Sequence, residues 1–413
     1  MTGSLNNRMD SHSVEPIQNF HTLSQEGQKN ISGWWKDLKN ESAIRFSTQG
    51  LPKRKQEEWR YTDLSVLGKR SWMLADSITA LESKSAPSHN LTQLKSQEEN
   101  IYLHWKKRLD ERFAGETLVD LNTLLTHSGQ THFIPEGQSA ELYLSHSSKE
   151  SEKIFSPYHF VHVGKNASLE LGEEFLFQKT AENWINPCID IVLEEGAKLD
   201  FYQLQENSLT TRQTSTVRLI QSRGSVVHAW AIQTGSKMAR NSFFAAFAGE
   251  EAQFHYRALS MVQPDQHLDQ YIYLDHAVPN CLSRQLFKGI VSERGRSIFN
   301  GRVMVRKYAQ KTDAGQQSKN LLLGKLAEAN ARPQLEIYAD DVKCTHGSTI
   351  GRLNKEELFY LQSRALSTQQ ATTLLCHGFA EDVIQDIPNL KQKAKLSAAL
   401  TRAFEALHIG DQE

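Results

Sequence analysis

His159-Phe160-Val161-His162-Val163-Gly164-Lys165-Asn166-Ala167-Ser168-Leu169 is a β-rich run of strand length that breaks at a glycine turn and then resumes. The unit returns along the chain. Ile189-Asp190-Ile191-Val192-Leu193 leads to Gly196-Ala197-Lys198-Leu199, and Val217-Arg218-Leu219-Ile220 leads to Gly224-Ser225-Val226-Val227. Gly249-Glu250-Glu251-Ala252-Gln253 opens onto Phe254-His255-Tyr256-Arg257-Ala258-Leu259. β-Branched and aromatic residues fit a pleated surface, and glycine fits the turns between strands. Gly164, Gly196, Gly224 and Gly249 are separated by 32, 28 and 25 residues, and Gly295-Arg296-Ser297-Ile298-Phe299 echoes them after a longer interval holding Pro279-Asn280. Such a quasi-period, with no helical window between, predicts a solenoid whose coils bury their apolar faces against one another. An antiparallel sandwich or barrel, whose hairpins also space glycines, satisfies the same pattern.

Outside this region the texture is helical. Ile31, Trp34, Trp35 and Leu38 recur at helical spacing, with Gly50 and Pro52 as a stop. A second helix is expected from Ile101 to Phe113, ended by Gly115, and the Ser-, Asn- and Gln-rich stretch from 72 to 98 reads as a connector. Beyond Gly351, Asn354 is placed to cap a helix, with Glu357 at the capping-box position. Further helices are expected around Thr372–Cys376 with Gly378 as stop, over Glu381–Asp386 before Pro388, and from Leu390 to Leu407. The chain thus divides into a polar N-terminus (1–28), a helical region (29–130), a β core (131–351) and a C-terminal helical region (352–413).

The 413 residues carry a net charge of −1, so no large field draws the chain to nucleic acid or an anionic membrane. No apolar run has membrane-spanning length, and MTGSLNNRMDSHS lacks the apolar stretch of a secretory signal. Cys188, Cys281, Cys344 and Cys376 are widely scattered, which fits a reduced protein rather than a disulfide scaffold. Cytoplasm is the expected location.

The chemistry concentrates in Ala339-Asp340-Asp341-Val342-Lys343-Cys344-Thr345-His346-Gly347-Ser348-Thr349-Ile350-Gly351. On an extended segment Cys344 and His346 share a face, offering two soft ligands for iron or zinc, or a nucleophile and a base. Two ligands do not complete a metal site, so the rest would come from elsewhere, including another chain. A different class of function, a stand-alone β-helix enzyme acting on sugars, would use Asp340, Asp341 and His346. The ordinary reading of Cys-x-His is packing plus a hydrogen-bonded imidazole. By the same standard Cys188, Cys281 and Cys376-His377 are packing residues, the last pair beside a helix C-cap. Trp59 and Tyr61 suit a buried anchor between helices and β core, while Lys53-Arg54-Lys55 and Arg302, Arg306, Lys307 and Lys311 suit solvated faces. No G-x-x-x-x-G-K-[ST] loop, G-x-S-x-G elbow or H-E-x-x-H helix occurs, so the sequence carries no motif for nucleotide hydrolysis or for these hydrolase classes.

Three blocks carry a family likeness: Leu51-Pro52-Lys53-Arg54-Lys55-Gln56-Glu57-Glu58-Trp59-Arg60-Tyr61-Thr62, then Phe299-Asn300-Gly301-Arg302-Val303 with Asn320-Leu321-Leu322-Leu323, then Pro333-Gln334-Leu335-Glu336-Ile337-Tyr338 through His346-Gly347 to Phe359-Tyr360-Leu361-Gln362-Ser363-Arg364. With these the chain resembles the SufB/SufD family of the SUF iron–sulfur cluster assembly system. It is closer to the SufD branch, since clustered N-terminal cysteines are absent and Cys344-Thr345-His346-Gly347 replaces the Glu-His-Glu arrangement of SufB. Thr345, Ser348 and Ala365 stand where serine, alanine and glycine are more usual.

The resemblance implies a right-handed parallel β-helix core flanked by helical N- and C-terminal regions. It implies a scaffold subunit rather than an enzyme, joined through a β-helix edge to a SufB-like paralogue. A SufC-like ABC-type ATPase would dock on the C-terminal region, with Phe359, Tyr360 and Arg364 as candidate contacts. A transient iron–sulfur cluster would assemble at the paralogue interface, where Cys344 and His346 would lie, with none held stably by this chain alone. Expressed alone, the open edge could also pair two copies of the chain.

Overall fold

A computed structural model describes residue 20 and residues 33–75, 79–126, 129–177 and 182–407. Ile31, the 1–28 segment apart from Phe20, and the residues after Leu407 lie outside this set.

The core is a parallel β-solenoid of eight coils, each giving one strand to each of two sheets. The coils are β1 (Gln130–Ile134) with β2 (Ser139–His146), β3 (Tyr158–Val163) with β4 (Ser168–Phe175), β5 (Cys188–Leu193) with β6 (Lys198–Gln205), and β7 (Arg212–Gln221) with β8 (Val226–Gln233). Then come β9 (Met238–Phe247) with β10 (Gln253–Val262), β11 (His267–His276) with β12 (Leu282–Val291), β13 (Arg296–Val305) with β14 (Asp313–Leu322), and β15 (Glu328–Ile337) with β16 (Lys343–Gly351). Odd-numbered strands pair in order in the first sheet and even-numbered strands in the second. Parallel pairing throughout the core settles the alternatives left open by the glycine pattern: the fold is the solenoid, not a sandwich of hairpins.

In-register pairing stacks equivalent side chains into columns, and Val161, Ile191, Leu219, Ala245 and Leu274 belong to the apolar interior between the sheets. At the first corner of the first seven coils one residue takes a left-handed conformation, and in six of them its N–H reaches the next coil. Gly137 donates to Lys165 O, Asn166 to Glu195 O, Gly196 to Arg223 O, and Lys311 to Asp341 O. Only some corners use glycine there. Asn166, Glu251, Asn280 and Lys311 occupy the position at φ 53, 63, 59 and 56°.

The N-terminal region covers the outer face of the first sheet with α1 (Trp34–Gln49), α2 (Ser96–Arg112) and α3 (Thr117–Leu125). Trp35, Tyr102, Leu109 and Phe113 pack on Tyr158, Phe160, Val192 and Phe244. All nine residues of α3 are buried. Its C-terminal carbonyls are satisfied by Lys39 Nζ, which donates to Leu124 O at 3.0 Å and Thr126 O at 2.5 Å. Burial lowers the Lys39 pKa to about 8. The expected connector at 72–98 is instead strand-bearing: Thr79–Lys84 pairs antiparallel with β2, and Ser88–Asn90 with β1, so this polar stretch closes the first end of the solenoid.

The C-terminal region supplies α4 (Lys355–Ser363), α5 (Thr368–Glu381) and α6 (Leu390–Glu405). Cys376, Ala380, Leu396 and Leu400 pack on Tyr202, Trp230, Leu259 and Ile290 of the second sheet's outer face. Gly378 does not end a helix: α5 runs through it to Glu381, and Asp382–Asp386 form turns. The stop is supplied by the solenoid, where Lys288 Nζ donates to Phe379 O (2.7 Å) and Arg257 Nη1 to Asp382 O (2.7 Å), cations placed at the negative end of the helix. Asn354 caps α4 by accepting from Glu356 N at 2.9 Å, but Glu357 does not close a capping box. Among the described residues no helix is long and apolar enough to cross a membrane.

Candidate functional site

Cys344 and His346 lie on β16, which pairs with β14 alone, as its partner in the last coil, β15, pairs with β13 alone. The solenoid therefore ends on two edge strands whose outer hydrogen-bonding groups have no neighbouring strand among the described residues. Register places Cys344 over Ala314 and His346 over Gln316. Cys344 packs against the apolar interior, so His346, two residues on, faces the same way, along the inside of the last coil. Cys344 is half-buried and His346 exposed. The shared face read from the sequence is thus present, and it opens at the end of the solenoid rather than on its flank. Ile337 on β15, Tyr338 just after it and Ile350 on β16 are exposed on the same last coil.

Burial raises the Cys344 pKa, with Asp313 adding to the rise and the Ala314 backbone opposing it. The group is a thiol at neutral pH and needs a metal or a nearby cation to become a thiolate. Among the described residues no group of three or more His, Cys, Asp or Glu side chains is placed to hold a metal ion. Two donors at an open end are half a site.

Asp340 and Asp341 do not join them. Asp340 Oδ1 accepts from Gln310 Nε2 at 2.8 Å, and Asp341 N donates to Gln310 Oε1 at 2.9 Å, which ties two successive corners together. Asp340 and Asp341 lie in the bend before the strand, whereas His346 is three residues into it, about 10 Å past its start at Lys343. Gln310 thus occupies Asp340 Oδ1, one of the carboxylate oxygens that a sugar-cleaving reading would assign.

α4 has no buried residue. Phe359 is 72% and Tyr360 57% exposed, and the Arg364 guanidinium lies 5.4 Å from the Tyr360 ring centre. Ala365, which follows, has φ +67°, the left-handed region in which glycine is unstrained.

The block Leu51–Thr62 fastens the N-terminal region across four coils. Trp59 is buried, with the Arg240 guanidinium 3.9 Å from its ring centre. Thr62 bonds Asp269, Glu58 faces Arg302 at 3.5 Å, and Glu57 accepts from Arg332 Nη2 at 2.5 Å on the edge strand β15. Trp59 is the anchor its composition suggested. Arg302 and Arg306 are not simply solvated, since Arg302 also binds Glu336 and Arg306 grips buried Asp275 through two hydrogen bonds of 2.8 Å. Cys188, Cys281 and Cys376 are buried packing residues.

Comparison with known proteins follows the same lines. The family model described as SUF system FeS cluster assembly, SufBD core domain, matches residues 143–379. Iron-sulfur cluster assembly protein SufD of Escherichia coli (strain K12) is 28% identical over 370 residues, 83% of this chain and 88% of that protein. Protein ABCI7, chloroplastic, of Arabidopsis thaliana is 29% identical over 394 residues, covering 85% of this chain and 82% of its own length. The SufBD family protein slr0076 of Synechocystis is 26% identical over 392 residues, 84% of this chain and 86% of that one.

Proposed function

This chain belongs to the SufBD family of the SUF iron–sulfur cluster assembly system, and we propose that it is a SufD-type scaffold subunit without catalytic activity of its own. Its open last coil pairs with a SufB-like paralogue. His346 and Cys344 then meet donors from that paralogue around a nascent cluster, which is cargo rather than a resident group. A SufC-like ATPase docks on the C-terminal region through Phe359, Tyr360 and Arg364, and its ATP hydrolysis opens the paired ends. The four free cysteines, none of them near-clustered, suit a reducing cytoplasm.

The observation that carries this reading is the placement of an incomplete soft-ligand pair on an unpaired edge coil. An imidazole is an accepted ligand in iron–sulfur chemistry, and a shared, incomplete set favours release of the product over retention. The exposed aromatics of α4 suit a docking surface, because aromatic and arginine side chains dominate binding energy at protein contacts. Expressed alone, two copies would pair through the same end.

Co-expression with SufB-like and SufC-like partners, followed by native mass spectrometry, tests the assembly; a chain that purifies alone under these conditions overturns it. Cluster formation by the complex carrying His346→Ala tests the site. We expect a loss of at least ten-fold in assembly rate, and a normal rate would remove His346 from the mechanism.

A further inference from the structure

The column beneath His346 changes from apolar and aromatic residues to amides as it approaches the last coil. Leu142, Leu171, Phe201, Ala229 and Tyr256 occupy it in earlier coils, the Tyr256 hydroxyl donating to Gln270 Oε1 at 3.1 Å, and Gln285 and Gln316 occupy it in the last two coils before His346. Both glutamines are buried, at 3% and 2% exposure. Gln316 Nε2 donates to Gln285 Oε1 at 2.9 Å, the amide ladder that in-register stacking favours. The remaining polar atom of the Gln316 amide, Oε1, is buried without a hydrogen-bond partner. A buried acceptor left unpaired costs free energy, so an unmatched one directly below an imidazole invites explanation.

Room for this amide is made across the interior by Gly301. A Cβ there would lie 2.0 Å from Gln316 Nε2 and 2.8 Å from Phe299 Cζ. The glycine of Phe299-Asn300-Gly301-Arg302-Val303 thus has a specific physical role: it leaves space for the Gln316 head group.

We propose that Gln316 is a positioning residue for His346: its free amide oxygen, unpartnered in this structure, accepts from one ring nitrogen of His346 when the imidazole turns inward over it, fixes the tautomer, and leaves the other nitrogen directed out of the open end as the donor to cargo. Ligating histidines are commonly oriented in this way through their second nitrogen. Gln285 acts one step further down, holding the Gln316 amide in one orientation. Because Gln316 Nε2 is committed to Gln285 Oε1, Gln316 Oε1 is the atom left for His346. The inference rests on the proposed role of His346 but is tested separately from it.

The test is the His346 tautomer ratio in the full-length chain, read from two-bond nitrogen–proton correlations of histidine-labelled protein, with His346→Asn used to assign the signal. In the native chain one neutral tautomer should dominate. Gln316→Leu should shift the ratio roughly five-fold toward the other form, as expected for the loss of one hydrogen bond. Gln285→Leu should do the same while leaving Gln316 in place, and Gln316→Met supplies a second variant if leucine impairs folding. Circular dichroism establishes that each variant is folded. An unchanged ratio in folded Gln316 variants overturns the inference without touching the role of His346. Normal cluster assembly with His346→Ala would instead remove that role and leave the tautomer result standing.

Discussion

His276 should make the solenoid acid-sensitive by an amount that the structure allows to be worked out. It is fully buried on β11, its ring 4.5 Å from that of Phe247, with Nε2 2.9 Å from Ser283 Oγ. Desolvation is the sole cause that lowers its pKa from 6.5 to about 3. A depressed base binds its proton more readily in the unfolded chain, so its contribution is intact above pH 6.5 and is lost as pH falls toward 3. At pH 7.5 the ring is neutral in both states. At pH 5 the unfolded ring is almost wholly protonated and the folded one is not, which lowers stability by about 2 kcal/mol. His276→Gln removes this term and leaves the other titrating groups, including His132, in both proteins. Urea unfolding at pH 7.5 and pH 5 should therefore show a stability loss about 2 kcal/mol smaller in the variant than in the native chain. Equal losses in the two proteins would refute the assignment of a neutral, depressed imidazole to this site.

Arg218 binds Asp190 through two hydrogen bonds and Asp110 through a third, all within 2.7 Å, at 1% exposure; Arg218→Ala should cost about 3–5 kcal/mol by stranding Asp190, as measured by thermal unfolding. Ala365→Gly relieves a left-handed alanine and should raise the stability of the α4 end by roughly 0.5–1 kcal/mol, visible as slower amide exchange in Lys355–Ser363. Phe359→Ala with Tyr360→Ala should leave the melting temperature nearly unchanged, since both are exposed, yet weaken ATPase docking at least ten-fold in a titration. Alkylation at pH 7.5 should modify Cys344 before Cys188, Cys281 or Cys376, slowly at first and faster as pH rises, because its thiol is half-exposed and its pKa raised.

The solenoid was legible in the sequence because strand alternation and turns repeat, but the spacing drifts for a reason visible only in the structure. The left-handed corner tolerates Asn166, Glu251, Asn280 and Lys311 as well as Gly196 and Gly224, so glycines mark the corners irregularly. The 72–98 stretch misled because edge strands at a closed end are polar on most of their surface, and Gly378 misled because its helix is stopped by Lys288 and Arg257 from distant coils. The shared face of Cys344 and His346 could be read from alternation alone. Gln285 and Gln316 could not, since a polar residue in a strand ordinarily marks the solvent side. A signal existed nonetheless: Gln285, Gln316 and His346 recur at intervals of 31 and 30 residues, one coil each.

The two ends of the molecule differ in kind, and the difference bears on assembly through the proposed interface. The first is capped by short antiparallel strands, of which Thr79–Lys84 carries Glu82 and Lys84, while the last, among the described residues, presents parallel edge strands without a neighbour. A rod with two receptive tips would polymerise into a filament. If pairing runs through the last coil, as proposed, a rod with one receptive tip would stop at a closed pair.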